Sequence, residues 1–310
     1  MDMDMSTGAV VLGGGARVRP IGVSPALAKV PDQNGIMEDW FHGNKWPPAD
    51  FQSQWLNANP ASFPRKYWDS RLFAITVLGE FVQVNDTATG GPAWAQFYTE
   101  LDALLPKTPQ AIESELKELV ELIEYRPGVM SEAVAQVTNP WRWFSGILMC
   151  NAKSAPATQA LVAIAAHIGQ FQVMQYKLQF NRARPSQYSP ALLPPIEVPG
   201  HPAFPSGHAT ESFLIALCLE RVMPAAASTP AGYAPDNPPP PYPGISPLQQ
   251  MAQRIARNRE VLGLHYPSDS KAGRLLATKT MDILLQCKSI YDPLHPKAGL
   301  LGQAYDEWWH

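Results

Sequence analysis

The chain reads as an all-α protein, a bundle of helices carrying long proline-rich loops. Three observations predict this. Apolar residues recur at helical spacing through most of the chain beyond residue 68, and no stretch alternates convincingly between apolar and polar residues. Pro, Ser or Thr stands where the helices should begin. No internal repeat of roughly 20–50 residues is visible.

The first ~65 residues are rich in Pro, Gly and Asn and weakly periodic, which predicts an arm that wraps the rest of a single 310-residue domain. Asp69–Asn85 then places Leu72, Ile75, Val77, Leu78, Phe81 and Val82 at helical spacing, and Pro92–Leu105 continues in the same manner. Thr108-Pro109 opens a helix with Thr as N-cap and Pro in the first turn, and Glu113 to Glu124 supply its charged face. Ser154 and Pro156 begin a long helix running to Arg184, where Pro185 stops it. Further helices are predicted from about Ser206 to Val222, from Ser246-Pro247 to about Gly263, and from about Ser268 to Tyr291. Residues 154–290 thus form the helical core, interrupted by the proline-rich segment Thr229–Pro247.

Composition narrows the function classes. A hydrophobic share of 45% supports a sizeable core, and a formal net charge of −3 leaves no global field for nucleic acid or anionic lipid. Any anion must therefore be held by a local cluster. The three cysteines, Cys150, Cys218 and Cys287, give neither a disulfide framework nor zinc spacing and read as buried small hydrophobes. The N-terminus starts acidic, without the basic region of a secretory signal, and the longest apolar stretch, near Ala160–Val173, is broken by His167 and Gln170. No membrane partner and a cytoplasmic location are the expectations. The terminal Trp308 and Trp309 are compatible with docking on a second subunit as a homodimer.

Three remote segments carry the chemistry. In the first, Lys177 and Arg184 lie seven residues apart; on one continuous helix both point the same way within about 20°, close enough to embrace one small anion. Arg182 is expected to point elsewhere. In the second, Pro205-Ser206-Gly207-His208 ends a loop and begins an apolar helix. Its amides and the Ser206 hydroxyl favour an oxyanion, and His208 can carry a proton near neutral pH. In the third, the Arg259 guanidinium can grip two oxygens of one anion, and His265 can present one ring nitrogen to the anion's central atom. Asp269, four residues on, can orient that ring from its other nitrogen. Arg254 and Arg257 read as solvated charges on the same helix.

Lys-x6-Arg-Pro, Pro-Ser-Gly-His and Arg-x5-His-x3-Asp, in this order between Lys177 and Asp269, resemble the signature of the type 2 phosphatidic acid phosphatase and vanadium haloperoxidase superfamily. The usual Ser before the third-motif arginine is replaced here by Asn258. The resemblance implies a helical bundle of the vanadium haloperoxidase/acid phosphatase type, with vanadate, or phosphate in the same place, at its core and with neither haem nor nucleotide. It implies that Lys177, Arg184 and Arg259 neutralise the anion's oxygens while Ser206 and Gly207 donate hydrogen bonds. It also implies that His265 bonds to vanadium or phosphorus, His208 is the acid–base group and Asp269 partners His265. The string from Pro202 to Thr210 is similar to the haloperoxidase form of the turn, and His201 matches a position at which bromoperoxidases resemble this chain. The expected reaction is therefore vanadate-dependent oxidation of halide by hydrogen peroxide, with His201 and Asn258 as outer residues of the site. The alternatives are a phosphomonoesterase working through a phosphohistidine and a scaffold that binds phosphate without turnover.

Overall fold

The computed structural model describes residues 29–31, 37–39, 68–138, 142–151, 153–223 and 246–308. Most of the segment read as a wrapping arm lies outside these residues, as do positions 229–245 of the proline-rich loop. The chain divides into two compact units, Met1–Asp69 and Ser70–His310. In the first, β1 (Lys29–Pro31) pairs antiparallel with β2 (Met37–Asp39) in the register Lys29↔Asp39, Val30↔Glu38, Pro31↔Met37. Three residues per strand are too few to produce an alternation signal, so sequence analysis found no strand there.

The second unit is predominantly helical. Its first helix, α1 (Ser70–Gln83), buries Phe73, Ala74, Val77 and Phe81 along one face. The helix expected over Pro92–Leu105 is instead a 3-10 turn, Ala93–Ala95, followed by the short α2 (Tyr98–Asp102). Backbone groups needed for a continuous helix are taken by side chains: Gln172 Nε2 and the Tyr176 hydroxyl donate to the Trp94 carbonyl, and the Phe97 amide donates to the Tyr176 oxygen. The next helix, α3 (Pro109–Glu121), starts as predicted, with the Thr108 hydroxyl accepting from the Ala111 amide. A 3-10 turn, Leu122–Tyr125, carries the chain into α4 (Arg126–Ala135), and α5 (Arg142–Leu148) follows.

The long helix α6 spans Pro156–Phe180, four residues short of the expected end at Arg184. Asn181 adopts the left-handed conformation that terminates helices. Arg184, standing before a proline, is extended, with φ −72° and ψ 152°. Pro185 then opens α7 (Pro185–Tyr188), which leads into a 3-10 turn, Pro190–Leu192. The core helices are α8 (Gly207–Glu220), α9 (Pro247–Val261) and α10 (Pro267–Leu284), closed by α11 (Leu300–Asp306). The expected end of α10 at Tyr291 is not reached, because Glu80 of α1 accepts from the Ser289 amide and hydroxyl and draws the chain into turns.

Helix α8 is the centre of the bundle and packs against α6, α9 and α10. Phe213, Leu214, Ile215, Ala216, Cys218 and Leu219 are all buried, as befits a helix apolar around most of its circumference. Its first turn is crossed closely by α10: a Cβ on Gly273 would stand 2.8 Å from both the Ser206 carbonyl oxygen and the Ala209 Cβ. At the far end of the bundle, Glu307 accepts from the Ala157 and Thr158 amides and the Thr158 hydroxyl at 2.7, 2.9 and 2.8 Å, satisfying the first turn of α6. Trp308 Nε1 donates to the Thr158 hydroxyl, so this tryptophan docks on its own chain, and Trp309 lies outside the described residues. Cys218 and Cys287 are buried as expected, whereas Cys150 is only half-buried. Among the described residues, no helix is long and apolar enough to cross a membrane.

Candidate active site

Each motif reaches the site from a helix end. Lys177 is one turn from the end of α6, Arg184 lies in the loop beyond it, Ser206 caps α8, Arg259 is in the last turn of α9, and His265 sits in the tight turn before α10. That turn depends on Gly263, whose φ of +72° suits glycine. Arg126 pins it by donating to the carbonyls of Val261, Leu192 and Leu193 at 2.9, 2.7 and 2.9 Å.

The segments interlock. Lys177 Nζ donates to the carbonyls of Pro202 and Ala203 at 2.6 and 2.9 Å. Arg184 Nε donates to the His201 carbonyl at 3.0 Å, and its Nη1 donates to the Leu264 carbonyl at 2.8 Å and to His265 Nε2 at 3.1 Å. The Ser206 amide donates to the Asp269 carbonyl at 3.0 Å. Arg184, Ser206 and His265 therefore belong to one knot. The route differs from the one expected: Lys177 and Arg184 do not share a helix face, because the chain leaves α6 at Asn181 and returns Arg184 through a loop.

The protonation of His265 follows from its partners. A guanidinium only donates, so Nε2, facing Arg184, is the bare nitrogen; Nδ1 carries the hydrogen and donates to Asp269 Oδ2 at 3.0 Å. Burial, reinforced by the Arg184 charge, holds this imidazole well below its ordinary pKa, so the ring is neutral. Asp269, fully buried, is pushed up by burial against the pull of Arg182. Its Oδ2 also accepts from the Tyr266 amide at 2.9 Å.

Arg182, expected to point away, is part of this assembly. Its Nη1 donates to Asp269 Oδ1 at 2.6 Å and its Nη2 to Glu115 Oε2 at 2.8 Å. Glu115, brought by α3, also accepts from the Ser268 amide and hydroxyl at the start of α10. The Arg182 guanidinium lies 3.7 Å above the centre of the Tyr266 ring. Asn181 is the signal that would have exposed this: a left-handed helix end there removes Arg182 from the helix surface.

Three cations are buried together. Lys177, Arg184 and Arg259 are each 3% exposed or less. Burial, with the Arg184 charge second, brings the Lys177 ammonium down to about 7, and burial brings Arg184 and Arg259 each down to about 10. Arg259 Nη2 donates to the Ala133 carbonyl at the end of α4, but its Nε and Nη1 are buried without a hydrogen-bond partner. Orphaned guanidinium donors beside two further buried cations fit a multiply charged tetrahedral anion such as vanadate or phosphate, which would supply the missing acceptors. Among the described residues, no cluster of three His, Cys, Asp or Glu side chains could hold a bare metal ion.

The remaining predicted residues differ in part from expectation. The Ser206 amide is already engaged by Asp269, and its hydroxyl accepts from the Ala209 amide at 3.4 Å; the Gly207 and His208 amides are the first-turn donors of α8. His208 Nε2 meets the Gln136 carbonyl at 3.1 Å, and burial followed by the Arg259 charge lowers its pKa to about 3. The exposed His201 ring places Nδ1 3.1 Å from Arg184 Nη2, at the rim. Asn258 turns to Gln136 and Glu132 rather than to the cations. Arg254 pairs with Glu132, and Arg257 with Glu118 and Glu260, and both side chains stay exposed, as expected of solvated charges on the helix face. Two residues not singled out from sequence border the site. Gln136 had no local signal. Glu211 has its Oε1 3.9 Å from where a Cβ of Gly207 would stand, and burial pushes its carboxyl up to about 7 against the opposing pull of Lys177.

A separate cleft of about 690 Å³, lined by Phe213, Arg257, Glu260, Ser270, Lys271 and Arg274 among others, contains none of the motif residues. No protein-family model matches the chain, and no curated protein matches it.

Proposed function

We propose that this chain is a vanadate-dependent haloperoxidase of the superfamily its three motifs resemble, oxidising halide with hydrogen peroxide to hypohalous acid. The observation that carries the reading is the neutral His265, with Nδ1–H on Asp269 and a bare Nε2 beside Arg184, among cations whose donors lack acceptors. Lys177, Arg184 and Arg259 would hold the oxygens of vanadate, and His265 Nε2 would face its central atom. Bound vanadate supplies Lewis-acid activation of peroxide towards a halide. His208, neutral in the free site, would take the proton that hydrogen peroxide gives up once the bound anion offsets the Arg259 and Lys177 charges that lower its pKa. His201 would line the approach.

The bare Nε2 of His265 equally favours a second reading, phosphomonoester hydrolysis. There Nε2 attacks phosphorus, the P–O bond to the alcohol breaks as N–P forms, and His208 must arrive protonated to release the alcohol. The string from Pro202 to Thr210 and His201, which resemble the haloperoxidase form of the turn, favour the first reading.

The test is a paired assay on one purified batch: oxidation of a halide-trap dye with vanadate, peroxide and bromide or iodide, and hydrolysis of an aryl phosphate without vanadate. Halide oxidation suppressed by phosphate is the expected result. Aryl phosphate turnover inhibited by vanadate, without halide oxidation from mildly acid to neutral pH, replaces the first reading with the second. Inactivity in both assays leaves the phosphate-binding scaffold.

A further inference from the structure

We infer that Gln136 and Asn258 are positioning residues that hold His208 in a single tautomer, an assignment that rests on the role proposed for His208 above. A backbone carbonyl only accepts, so the 3.1 Å contact from His208 Nε2 to the Gln136 oxygen places the ring hydrogen on Nε2 and leaves Nδ1 bare. The Gln136 carbonyl is itself fixed. Its residue follows the last turn of α4, with its amide on the Glu132 carbonyl at 2.9 Å, and its side chain is fully buried. Gln136 Nε2 donates to Glu132 Oε1 at 2.8 Å, and Gln136 Oε1 accepts from Asn258 Nδ2 at 2.9 Å. Asn258 Nδ2 also donates to Glu132 Oε1 at 3.2 Å, while Glu132 Oε2 pairs with Arg254.

This knot explains the departure from the motif. An amide nitrogen has two hydrogens and serves both acceptors, whereas the hydroxyl of a serine at the same place has one. Asn258 therefore ties α9 to the Gln136 side chain at the end of α4, and the same helix end receives Arg259 through the Ala133 carbonyl and Arg254 through Glu132. The charged and titratable groups acting on His208 are Arg259 from α9, Lys177 from α6 and His265 from the turn before α10. No carboxylate among them would hold the ring's hydrogen, so that task falls to the backbone carbonyls of Gln136 and its neighbour Val137.

Two measurements decide it. With 15N-labelled histidine, and His208→Gln to assign the signal, the wild-type ring should show the Nε2–H tautomer at neutral pH. In Asn258→Ala it should become a mixture, and in Asn258→Ser, which keeps one donor, it should return part of the way. In the halide assay Asn258→Ala should lower kcat about tenfold and displace the His208 limb of the pH profile, with the vanadate Kd changed by no more than about threefold. A wild-type Nδ1–H tautomer, or a tautomer unmoved in both variants, overturns the inference. So does a loss of vanadate affinity equal to the loss of kcat with the pH profile fixed, which marks a purely structural knot. If Asn258→Ala does not fold, Asn258→Ser carries both measurements. Wild-type inactivity would refute the proposed reaction, and the tautomer measurement would still decide the positioning role.

Discussion

Arg182 and Asp269 meet at 2.6 Å, both almost wholly removed from solvent, and the other oxygen of the same carboxylate holds His265 Nδ1. Charge and orientation thus reach the imidazole through a guanidinium two residues from the motif arginine. A buried ion pair is often neutral for stability when replaced whole, but removing one partner strands the other.

Arg182→Ala should therefore lower turnover by roughly 10- to 100-fold, the usual scale for an outer partner of an essential histidine. The expected vanadate affinity is retained within about threefold, because Arg182 has no part in the anion's proposed contacts. His265→Ala should abolish turnover. Steady-state kinetics and a vanadate titration on both variants make the check; an Arg182→Ala enzyme with most of its activity would show that Asp269 orients the ring unaided.

Anion binding should stabilise the fold by satisfying Arg259 Nε and Nη1. A ligand at a hundredfold its Kd adds about 2.7 kcal/mol, so thermal unfolding should shift upward with phosphate or vanadate. Arg259→Ala should lose most of that shift. An equal shift in variant and wild type would place the anion elsewhere.

Affinity for vanadate should fall as pH rises through about 7. Lys177, lowered to about 7, loses its positive charge there, and Glu211, raised to about 7, gains a negative one. Both changes disfavour an anion. Glu211→Gln should remove one of them, giving tighter binding at mildly alkaline pH and little change at mildly acid pH, as read by calorimetric titration at both.

Acid should destabilise the bundle earlier than its carboxylates alone would. His208 is lowered from 6.5 to about 3 in the folded state. The unfolded chain therefore binds this proton first as pH drops below about 6.5, and stability falls from there towards pH 3. His265, lowered well below the same value, acts in the same direction. In His208→Gln the urea midpoint should fall less steeply between neutral and mildly acid pH; an identical slope would mean that the ring titrates alike in the folded and unfolded chain.

Gly273→Ala should destabilise by about 1–3 kcal/mol, because its Cβ would press on the Ser206 carbonyl and the first turn of α8. Gly79→Ala, in α1 with nothing within 4 Å of the new methyl, should instead stabilise by a few tenths to about 1 kcal/mol. Denaturant unfolding of the two variants makes the comparison.

Much of this was legible in the sequence. Thr108, Ser206 and Ser246 each cap a helix whose first residue is Pro or Gly, and each side chain accepts a first-turn amide. Local chemistry decides such caps, so sequence finds them. The pairing of His265 with Asp269 followed from a four-residue spacing across a turn. The register of Lys177 and Arg184 did not, since it assumed a helix through Asn181 and through the residue before a proline. Arg182, Gln136 and Arg126 were invisible because each acts on partners more than 60 residues away, through backbone carbonyls or a carboxylate that no spacing rule connects. The break at Phe97 was hidden for the same reason: Tyr176, 79 residues on, takes the amide that a helix would have used.

The clasp that Glu307 places on Ala157 and Thr158 has a consequence for biosynthesis. By the time Asp269 has been translated, every group proposed to hold the oxyanion has been made, yet the rod bearing Lys177 still has a bare leading turn. That turn waits for a carboxylate 150 residues downstream of Ala157. Until then water must serve those amides, and the clasp is a late, long-range closure.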